Sequence, residues 1–270
     1  MRIYIPTYKR VDNQITYENL PIEIQKNVIM VVQEQERDQY NYDYCEYLVV
    51  GNDIGIAKTR ELIYQHAGLH RFGIMDDDLR LFRRNAKYMG EESNMETSRR
   101  LMNLDDWNYW LSEVHRLFDD KNVMHIGHRD VSLPPYGQKY FHFKPILAVH
   151  WIDGLKLSKF IDEVDWNLAQ IGEDLVLTLE CLQRGYLHYI SDEVAMTRWE
   201  TAFAEGGCAE FRTSEVNDAE MMKIAKKYAF VTPLNQYDEY KGIGRVRKFK
   251  TNLKDAYNSY STRTLEEFLY

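Results

Sequence analysis

The chain has 270 residues, is 44% hydrophobic and carries a formal net charge of -8 at pH 7. This length and apolar content suffice for one large domain, or for one domain with an appendage. No apolar run reaches the roughly 18 residues that a membrane-spanning helix needs, and residues 1–5 start as a strand without the apolar region of a signal peptide. We therefore expect a cytoplasmic protein. The acidic balance argues against binding nucleic acid through the whole surface.

The first 80 residues alternate between strand-like and helix-like segments. Short apolar, β-branched runs at 3–5, 28–32, 47–50 and 71–75 predict buried parallel strands, and the apolar spacing over 56–68 predicts a crossover helix. Such alternation indicates an α/β sheet, whose ligands bind at the carboxyl ends of the strands.

The rest of the chain continues this mixture. Residues 85–98 are polar and irregular and predict a loop, as does the Pro- and Gly-containing segment 134–137. Further strands are expected at 123–126, 141–149 and 187–190, and further helices at 104–118, 173–184 and 214–229 and from residue 251 onward.

Three consecutive carboxylates, Asp76, Asp77 and Asp78, follow the strand predicted at 71–75. Adjacent carboxylates repel one another, so they need a cation or several hydrogen-bond donors to stay ionised. Mg²⁺ and Mn²⁺ use one or two protein carboxylates together with waters and substrate phosphates, which matches a short acidic segment. In an extended chain Asp76 and Asp78 would point to one side and Asp77 to the other, which makes Asp78 the first choice of metal ligand. A solvated acidic loop is the alternative interpretation.

Glu173 and Asp174 begin a predicted helix directly after Gly172. The helix dipole keeps carboxylates ionised in this position. An ionised carboxylate within hydrogen-bond reach of an acceptor hydroxyl can act as a general base. An ordinary acidic first turn explains the same residues equally well.

Adjacent glycines, Gly206 and Gly207, precede Cys208 in a loop where bare backbone could approach a ligand or simply turn. Cys208 has no neighbouring cation or His that would mark an activated thiol, so we interpret it as a packing residue. Residues 241–250 carry five cations and no carboxylate, which indicates either a solvated basic strand or a contact with a polyanion. Four histidines alternate with apolar residues and indicate core or cleft positions rather than a zinc site: His125, His128, His142 and His150.

The order of these segments resembles the GT-A glycosyltransferases, and more narrowly the TET/JBP-associated glycosyltransferases of bacteriophages, relatives of the base J glucosyltransferase. The match is carried by residues 5–10, 55–60, 75–79, 172–175 with 182–186, and 204–213. It spans roughly residues 1–215, and the last 50 residues share only a basic stretch. The resemblance implies a GT-A-like catalytic domain at 1–215, with a helical and basic C-terminal extension at 216–270 packed on it.

The resemblance also implies a fold and an activity. We expect a Rossmann-like, mixed and mostly parallel sheet flanked by helices, and a metal-dependent transfer of sugar from a nucleotide-sugar donor, UDP-linked in the first instance. The cofactor would be Mn²⁺ or Mg²⁺. The acceptor would be the hydroxyl of 5-hydroxymethylcytosine, or of a related hydroxymethylpyrimidine, in phage DNA inside an infected bacterium.

The predicted site residues fall into five groups; the first four are carried over from the resemblance, and the nucleic-acid contacts rest on the basic stretch at 241–250. The donor-binding residues would be Pro6, Thr7, Arg10, Gln33, Lys58, Arg60, Asp76 and Asp77. The metal would be held by Asp76 and Asp78, and the catalytic residues would be Asp174 and Glu173. The loop near the acceptor would contain Gly206, Gly207, Cys208 and Arg212. The nucleic-acid contacts would be Arg245, Arg247, Lys248 and Lys250.

One departure concerns the metal. Many GT-A enzymes supply a late histidine to it, but no histidine follows His188 in this chain. A carboxylate, a water or the donor itself would complete the coordination shell.

Three alternatives stay open at the level of sequence. The acidic net charge favours a glycosyltransferase that acts on a glycan or other small acceptor. A metal-dependent nucleotidyltransferase would also bind a diphosphate beside carboxylates, but residues 6–10 lack the glycine of its usual phosphate loop. A non-catalytic module that binds nucleotide sugar or DNA would not need the carboxylates for its function.

Overall fold

The computed structural model describes residues 1–84, 99–133, 139–198, 212–240 and 244–268, with side chains for all of them except 198, 240 and 262–268. The loops predicted at 85–98 and 134–137 lie outside the described residues. Within the described ranges, no helix combines the length and apolar composition needed to cross a membrane.

Twelve strands are found in the described residues, and they are listed here in chain order. They are β1 (Arg2–Pro6), β2 (Val28–Gln33), β3 (Glu46–Val50), β4 (Arg71–Met75), β5 (Leu79–Arg84), β6 (Arg99–Leu101), β7 (Val123–Asp130), β8 (Tyr140–Phe141), β9 (Val149–Asp153), β10 (Leu187–Arg198), β11 (Val231–Tyr240) and β12 (Gly244–Thr251).

The helices alternate with these strands. They are α1 (Ile15–Glu18), α2 (Ile22–Gln25), α3 (Ile56–Ala67), α4 (Leu104–Phe118), α5 (Gly154–Leu157), α6 (Glu173–Leu182), α7 (Ser214–Lys227) and α8 (Leu253–Phe268), with short 3-10 turns at Glu34–Gln39 and Ile161–Glu163.

One mixed sheet of ten strands organises the described part of the molecule. Its order is β3-β2-β1-β4-β9-β7-β10-β5-β6, with β8 beside β10. The half formed by β3, β2, β1 and β4 is parallel, while β9 runs antiparallel to both of its neighbours. The predicted fold class, a Rossmann-like mixed α/β sheet flanked by helices, is confirmed.

Side chains alternate between the two faces of the sheet, so each face has its own apolar cluster. On one face Tyr4 packs in a cluster with Ile63 of α3 and Leu179 of α6. On the other, Ile3 belongs to a cluster that contains Trp110 of α4. The central strands are therefore covered on both sides, which explains their continuous apolar sequence.

The expected strand at 141–149 is wrong over most of its length. Phe143 and Ala148 have positive φ angles of 56° and 62°, which lie outside the β region, and the chain is extended only at its two ends, in β8 and β9. Two predicted strands continue further than expected, since β7 runs to Asp130 and β10 to Arg198.

The C-terminal part is built from α7, a two-stranded hairpin of β11 and β12, and α8. Apolar residues of this part join the core beside α6, including Ile224, Tyr228 and Leu253. The buried Tyr228 hydroxyl also contacts the carboxylate of Glu180 on α6. A mixed helix and hairpin segment thus stands where we expected a helical and basic extension.

Candidate active site

A cavity of about 930 Å³ opens at the carboxyl ends of the parallel strands. The ends of β1, β2 and β4, the start of α6 and the hairpin all contribute to its wall. Most of the predicted site residues line it: Pro6, Thr7, Arg10, Gln33, Arg60, Asp76, Asp77, Asp78, Glu173, Asp174, Arg212, Arg247 and Lys248.

The acidic segment after β4 is a turn that is fixed from inside the protein. Thr16 donates its backbone N–H to the carbonyl of Asp77 (2.9 Å) and its hydroxyl to the carbonyl of Asp76 (2.5 Å). The Thr16 Oγ1 also accepts the backbone N–H of Leu79 (2.8 Å). One threonine therefore holds three backbone groups of the turn, those of Asp76, Asp77 and Leu79, a role that the sequence did not reveal.

Asp77 is buried in the cavity wall and is held by two neighbouring side chains. Its carboxylate contacts the Arg10 guanidinium and accepts the Thr7 hydroxyl (2.7 Å). Arg10 Nη1 lies 3.3 Å from Asp78 Oδ2 as well, so both carboxylates share one cation. Burial raises the pKa of Asp77 to about 7, against the opposing effect of Arg10, and raises that of Asp78.

This arrangement corrects one expectation, which concerns the directions of the three aspartates. The alternation that set Asp77 apart from Asp76 and Asp78 applies to an extended chain, whereas these residues form a turn in which Asp77 and Asp78 contact the same guanidinium. Arg10 and Asp77, predicted to bind the donor, both line the cavity and are paired with each other in its wall. Asp76 is the more accessible carboxylate, with 36% of its side chain exposed.

Arg60 of α3 joins the two acidic segments. Its guanidinium is buried, and it lies 3.3 Å from Asp76 Oδ1 and 3.3 Å from Glu173 Oε1. It also contacts the carboxylate of Asp174. The end of β4 and the start of α6 are thereby connected through one cation, and five carboxylates share Arg10 and Arg60 in these contacts.

Glu173 and Asp174 occupy the first turn of α6 because Gly172 directs the chain there. Gly172 has a φ of +91°, and a Cβ on it would lie 2.8 Å from Ile224 Cδ1. Glycine alone adopts this conformation without strain. The two carboxylates are largely buried, yet both reach the cavity wall, so they can approach a bound hydroxyl.

Two histidines behind Asp174 were predicted only as core or cleft side chains. His150 Nε2 lies 2.9 Å from Asp174 Oδ1 and 3.2 Å from Arg60 Nη1. His150 Nδ1 lies 2.8 Å from His125 Nε2. The alternation of these histidines with apolar residues indicated burial, which is correct, but the contact with α3 and α6 arises only from the tertiary structure.

Gln33 supports the neighbouring turn rather than facing open space. Its Oε1 accepts the backbone N–H of Asp53 (2.8 Å), and its Nε2 donates to the carbonyl of Ile54 (3.3 Å). Asp53 has a φ of +54°, so these bonds stabilise an uncommon backbone conformation at the cavity wall.

Two of the basic residues of β12 pack against one aromatic ring. Arg245 and Arg247 place their guanidinium carbons 4.3 and 5.4 Å from the ring centre of Tyr237, and Arg247 donates to the Tyr237 hydroxyl (2.9 Å). Lys248 pairs with Asp238 (2.7 Å). Arg247 and Lys248 line the cavity, while Arg245 and Lys250 are exposed and do not.

Of the two described residues that remain, Lys58 and Arg212, only Arg212 lines the cavity. Lys58 is half-exposed, pairs with Glu61 (2.8 Å) and does not line the cavity. Arg212 lines the cavity and donates to Asn217 (3.3 Å). The remaining loop residues, Gly206, Gly207 and Cys208, lie outside the described residues.

The acidic residues were tested for their fit to a divalent metal. Across the described ranges, no group of three or more His, Cys, Asp or Glu residues could hold a metal ion. Mg²⁺ and Mn²⁺ nevertheless need only one or two protein carboxylates when waters and phosphates complete the shell. Asp76 and Asp78 both line the cavity and satisfy that requirement.

Comparison with solved structures found similar architectures at low identity. A UDP-glucose pyrophosphorylase in complex with UDP-glucose matches with a TM-score of 0.41 and 7% identity, over 73% of this chain and 92% of that one. A putative glucose-1-phosphate thymidylyltransferase from Bacillus anthracis matches with a TM-score of 0.39 and 11% identity, over 73% and 89%. The inositol-1-phosphate CTP transferase of T. maritima gives 0.37 and 13%, over 73% and 88%.

The sequence comparisons differ in outcome. No curated protein matches the chain. The family model of the TET-associated glycosyltransferases, in contrast, matches residues 1–207, which is most of the chain and includes the acidic turn and the start of α6. The protein is therefore a glycosyltransferase that belongs to the TET-associated glycosyltransferase family.

Proposed function

We propose that this glycosyltransferase moves a sugar from a nucleotide-sugar donor, UDP-linked in the first instance, to the hydroxyl of 5-hydroxymethylcytosine or a related hydroxymethylpyrimidine in phage DNA. The single observation that carries this proposal is the cavity. It combines the acidic turn, the Glu173–Asp174 pair and the cations Arg247 and Lys248 in one wall. The reaction would take place in the cytoplasm of an infected bacterium.

On the donor side, the diphosphate would lie beside Asp76, Asp78 and Arg60. Five carboxylates share two guanidiniums there, so a diphosphate would be repelled unless a further cation were present. Asp76 and Asp78 would hold Mg²⁺ or Mn²⁺. Bound there, the cation supplies positive charge that stabilises the departing nucleoside diphosphate. Arg10 and Asp77 would act indirectly, by keeping the turn in place.

On the acceptor side, Asp174 would serve the incoming hydroxyl. In an inverting reaction it accepts the proton as the oxygen attacks the anomeric carbon, and in a retaining reaction it orients the hydroxyl. Glu173 contacts the same Arg60 guanidinium as Asp174, so its negative charge would influence how readily Asp174 takes up a proton.

The acceptor strand would approach along the hairpin. Arg247 and Lys248 would contact its phosphates at the mouth of the cavity, with Arg245 and Lys250 further out. A base stacked in a duplex cannot reach a carboxylate inside a cavity, so the nucleotide would turn out of the helix. The segment with Gly206, Gly207, Cys208 and Arg212 would close over the bound substrates. We retain 216–270 as an extension of a catalytic domain at 1–215.

The test is a transfer reaction with a panel of nucleotide sugars, Mn²⁺ or Mg²⁺, and duplex DNA that contains either 5-hydroxymethylcytosine or cytosine. Digestion to nucleosides and mass spectrometry would show a sugar mass on the hydroxymethylated base only. Transfer to a glycan acceptor but to neither DNA would overturn the DNA acceptor. Absence of any consumption or binding of nucleotide sugar would overturn the donor as well.

A further inference from the structure

Two buried histidines form a continuous path from the core to Asp174. His125 on β7 and His150 on β9 are fully buried, with parallel rings whose centres lie 5.1 Å apart. His125 Nε2 and His150 Nδ1 are 2.8 Å apart, and His150 Nε2 then reaches Asp174 Oδ1 at 2.9 Å. Neither ring lines the cavity, so neither would touch a substrate.

Core packing alone does not account for this pair. Burial of polar rings costs free energy unless their nitrogens find partners, and apolar side chains of similar size would fill the same volume without that cost. His125 Nδ1 has no hydrogen-bond partner, so the pair is not even fully satisfied. Three of the four ring nitrogens do have a polar neighbour, and the outermost one ends on the carboxylate and guanidinium of the site.

The rings are held neutral. Burial, with the charge of Arg60 as a further cause, lowers the pKa of His125 and of His150 well below the ordinary value of histidine. A neutral His150 Nε2 either donates to Asp174 or accepts from Arg60 Nη1, depending on the tautomer, and it adds no second cation beside Arg60. Arg60 contacts Asp76, Glu173 and Asp174, so a fixed imidazole at its Nη1 also limits its movement among those carboxylates.

Resting on the proposed function, we propose that His150, supported by His125, is a positioning residue that holds the Asp174 carboxylate and the Arg60 guanidinium in the geometry required for sugar transfer. Asp174 Oδ1 is buried beside His150 Nε2 and Arg60 Nη1, so we expect the acceptor hydroxyl to approach Oδ2. Fixed carboxylate geometry matters because a displacement of about 1 Å at a reacting group costs about 100-fold in rate.

The experiment compares His150→Leu, His150→Gln and His125→Gln with the wild type, using the donor and acceptor that give product with the wild type. A matched control is His128→Leu, because His128 is buried on the same strand as His125 but bonds to Trp151 and to the carbonyl of Val194 instead of the site. Transfer kinetics, UDP binding by calorimetry and thermal unfolding are measured for each variant.

We expect His150→Leu to lower kcat by about 10- to 100-fold while KM for the donor and Kd for UDP change by less than about threefold. His150→Gln, which keeps a polar atom near Nε2, should recover part of the loss, and His125→Gln should cause a smaller one. His128→Leu should lower the melting temperature and leave kcat within about threefold.

Three results would overturn the proposal. One is a kcat for His150→Leu within about threefold of the wild type, and another is an equal loss of kcat in the His128→Leu control. If His150→Leu does not fold, His150→Gln and His125→Gln decide, and wild-type kcat in both contradicts the role. A wild-type protein that neither binds UDP nor consumes nucleotide sugar fails the proposed function itself, and the positioning role falls with it.

Discussion

Arg60 Nη2 lies 3.3 Å from Asp76 Oδ1, which connects α3 to the acidic turn after β4. Because the same guanidinium contacts Glu173 and Asp174, the donor and acceptor sides of the proposed site depend on one buried cation. The site is therefore sensitive to changes at this single position.

The first prediction concerns that cation. Arg60→Met leaves three carboxylates without their shared partner, and we expect a loss of about 3 to 5 kcal/mol in the free energy of unfolding. Transfer should fall by about 100-fold or more. Urea denaturation and transfer kinetics measure both. The control is Arg2→Met, because Arg2 pairs with Glu46 at 3.5 Å, both side chains are more than half exposed, and the pair should contribute only about 1 kcal/mol. Equal effects of both substitutions would contradict the role of Arg60.

The second prediction separates the adjacent aspartates. Asp78→Asn removes a proposed metal ligand, so the Mn²⁺ concentration for half-maximal transfer should rise by about tenfold or more. Asp77→Asn removes the closer partner of Arg10, so it should lower the free energy of unfolding by about 3 kcal/mol without a comparable change in the Mn²⁺ requirement. A titration of transfer against Mn²⁺ distinguishes them. Transfer that persists in EDTA would refute the metal sites.

The sequence predicts those elements whose apolar residues follow a regular local pattern, and it misses those that depend on irregular backbone or on distant contacts. Local patterns predict β1 to β4 and α3, because their apolar residues follow one period from end to end. The break between β8 and β9 escapes such patterns, because the positive φ angles of Phe143 and Ala148 occur at residues that ordinarily fit a strand. The β11–β12 hairpin was only partly predicted, since most residues of β11 are polar or exposed.

The site shows the same division. The Asp76–Asp78 and Glu173–Asp174 segments stand out as charge clusters at element ends, so the sequence alone identifies them. Arg60 entered only through the family resemblance, and the contact of His150 with Asp174 was not predicted. That contact requires β9 to lie beside β4 and α6 to pack over β9. His150 and Asp174 are 24 positions apart in the chain, so a local sequence pattern cannot predict that they meet.

The third prediction concerns a buried ammonium group. Lys156 Nζ donates to the carbonyls of Phe118 (2.7 Å), Asp120 (2.8 Å) and Val123 (2.7 Å), and so joins the end of α4 to the start of β7. Lys156→Met removes the shared donor of these carbonyls and the cation 3.1 Å from the buried Asp153 carboxylate, and it should cost about 3 kcal/mol. Lys159→Met, at an exposed position, should change stability by less than about 0.5 kcal/mol. Chemical denaturation tests both, and similar midpoints would refute this role.

The fourth prediction concerns pH. Burial lowers the pKa of His128 from 6.5 to about 4, and the ring is fixed as neutral because its Nε2 accepts the Trp151 indole N–H (2.8 Å). Between pH 6.5 and pH 4 the unfolded chain therefore binds a proton that the folded protein does not, and stability falls as pH falls.

Substitution of His128 by glutamine should remove this loss of stability at low pH. The wild type should lose about 1.4 kcal/mol per pH unit relative to His128→Gln as the pH drops below about 6. Urea unfolding at several pH values gives the difference directly. A constant difference between the two proteins across this range would show that His128 is protonated in the folded state.

The fifth prediction concerns the hairpin. Arg247→Ala and Lys248→Ala should each weaken binding to hydroxymethylated duplex DNA, and each should reduce the slope of log K against log salt concentration by about 0.9. Lys121→Ala removes the same charge at an exposed position that does not line the cavity and should change neither quantity. An unchanged slope in both hairpin variants would place the acceptor elsewhere.

Metal-dependent sugar transfer to the hydroxymethylated base is tested directly by one measurement. It is the nucleoside mass spectrum of 5-hydroxymethylcytosine DNA after reaction with wild type or with Asp174→Asn, with and without EDTA. We expect a sugar mass on the hydroxymethylated nucleoside with the wild type and divalent metal. The amount of product should fall by about 100-fold or more in the variant and in EDTA. Full product from Asp174→Asn, or from the wild type in EDTA, would contradict this expectation.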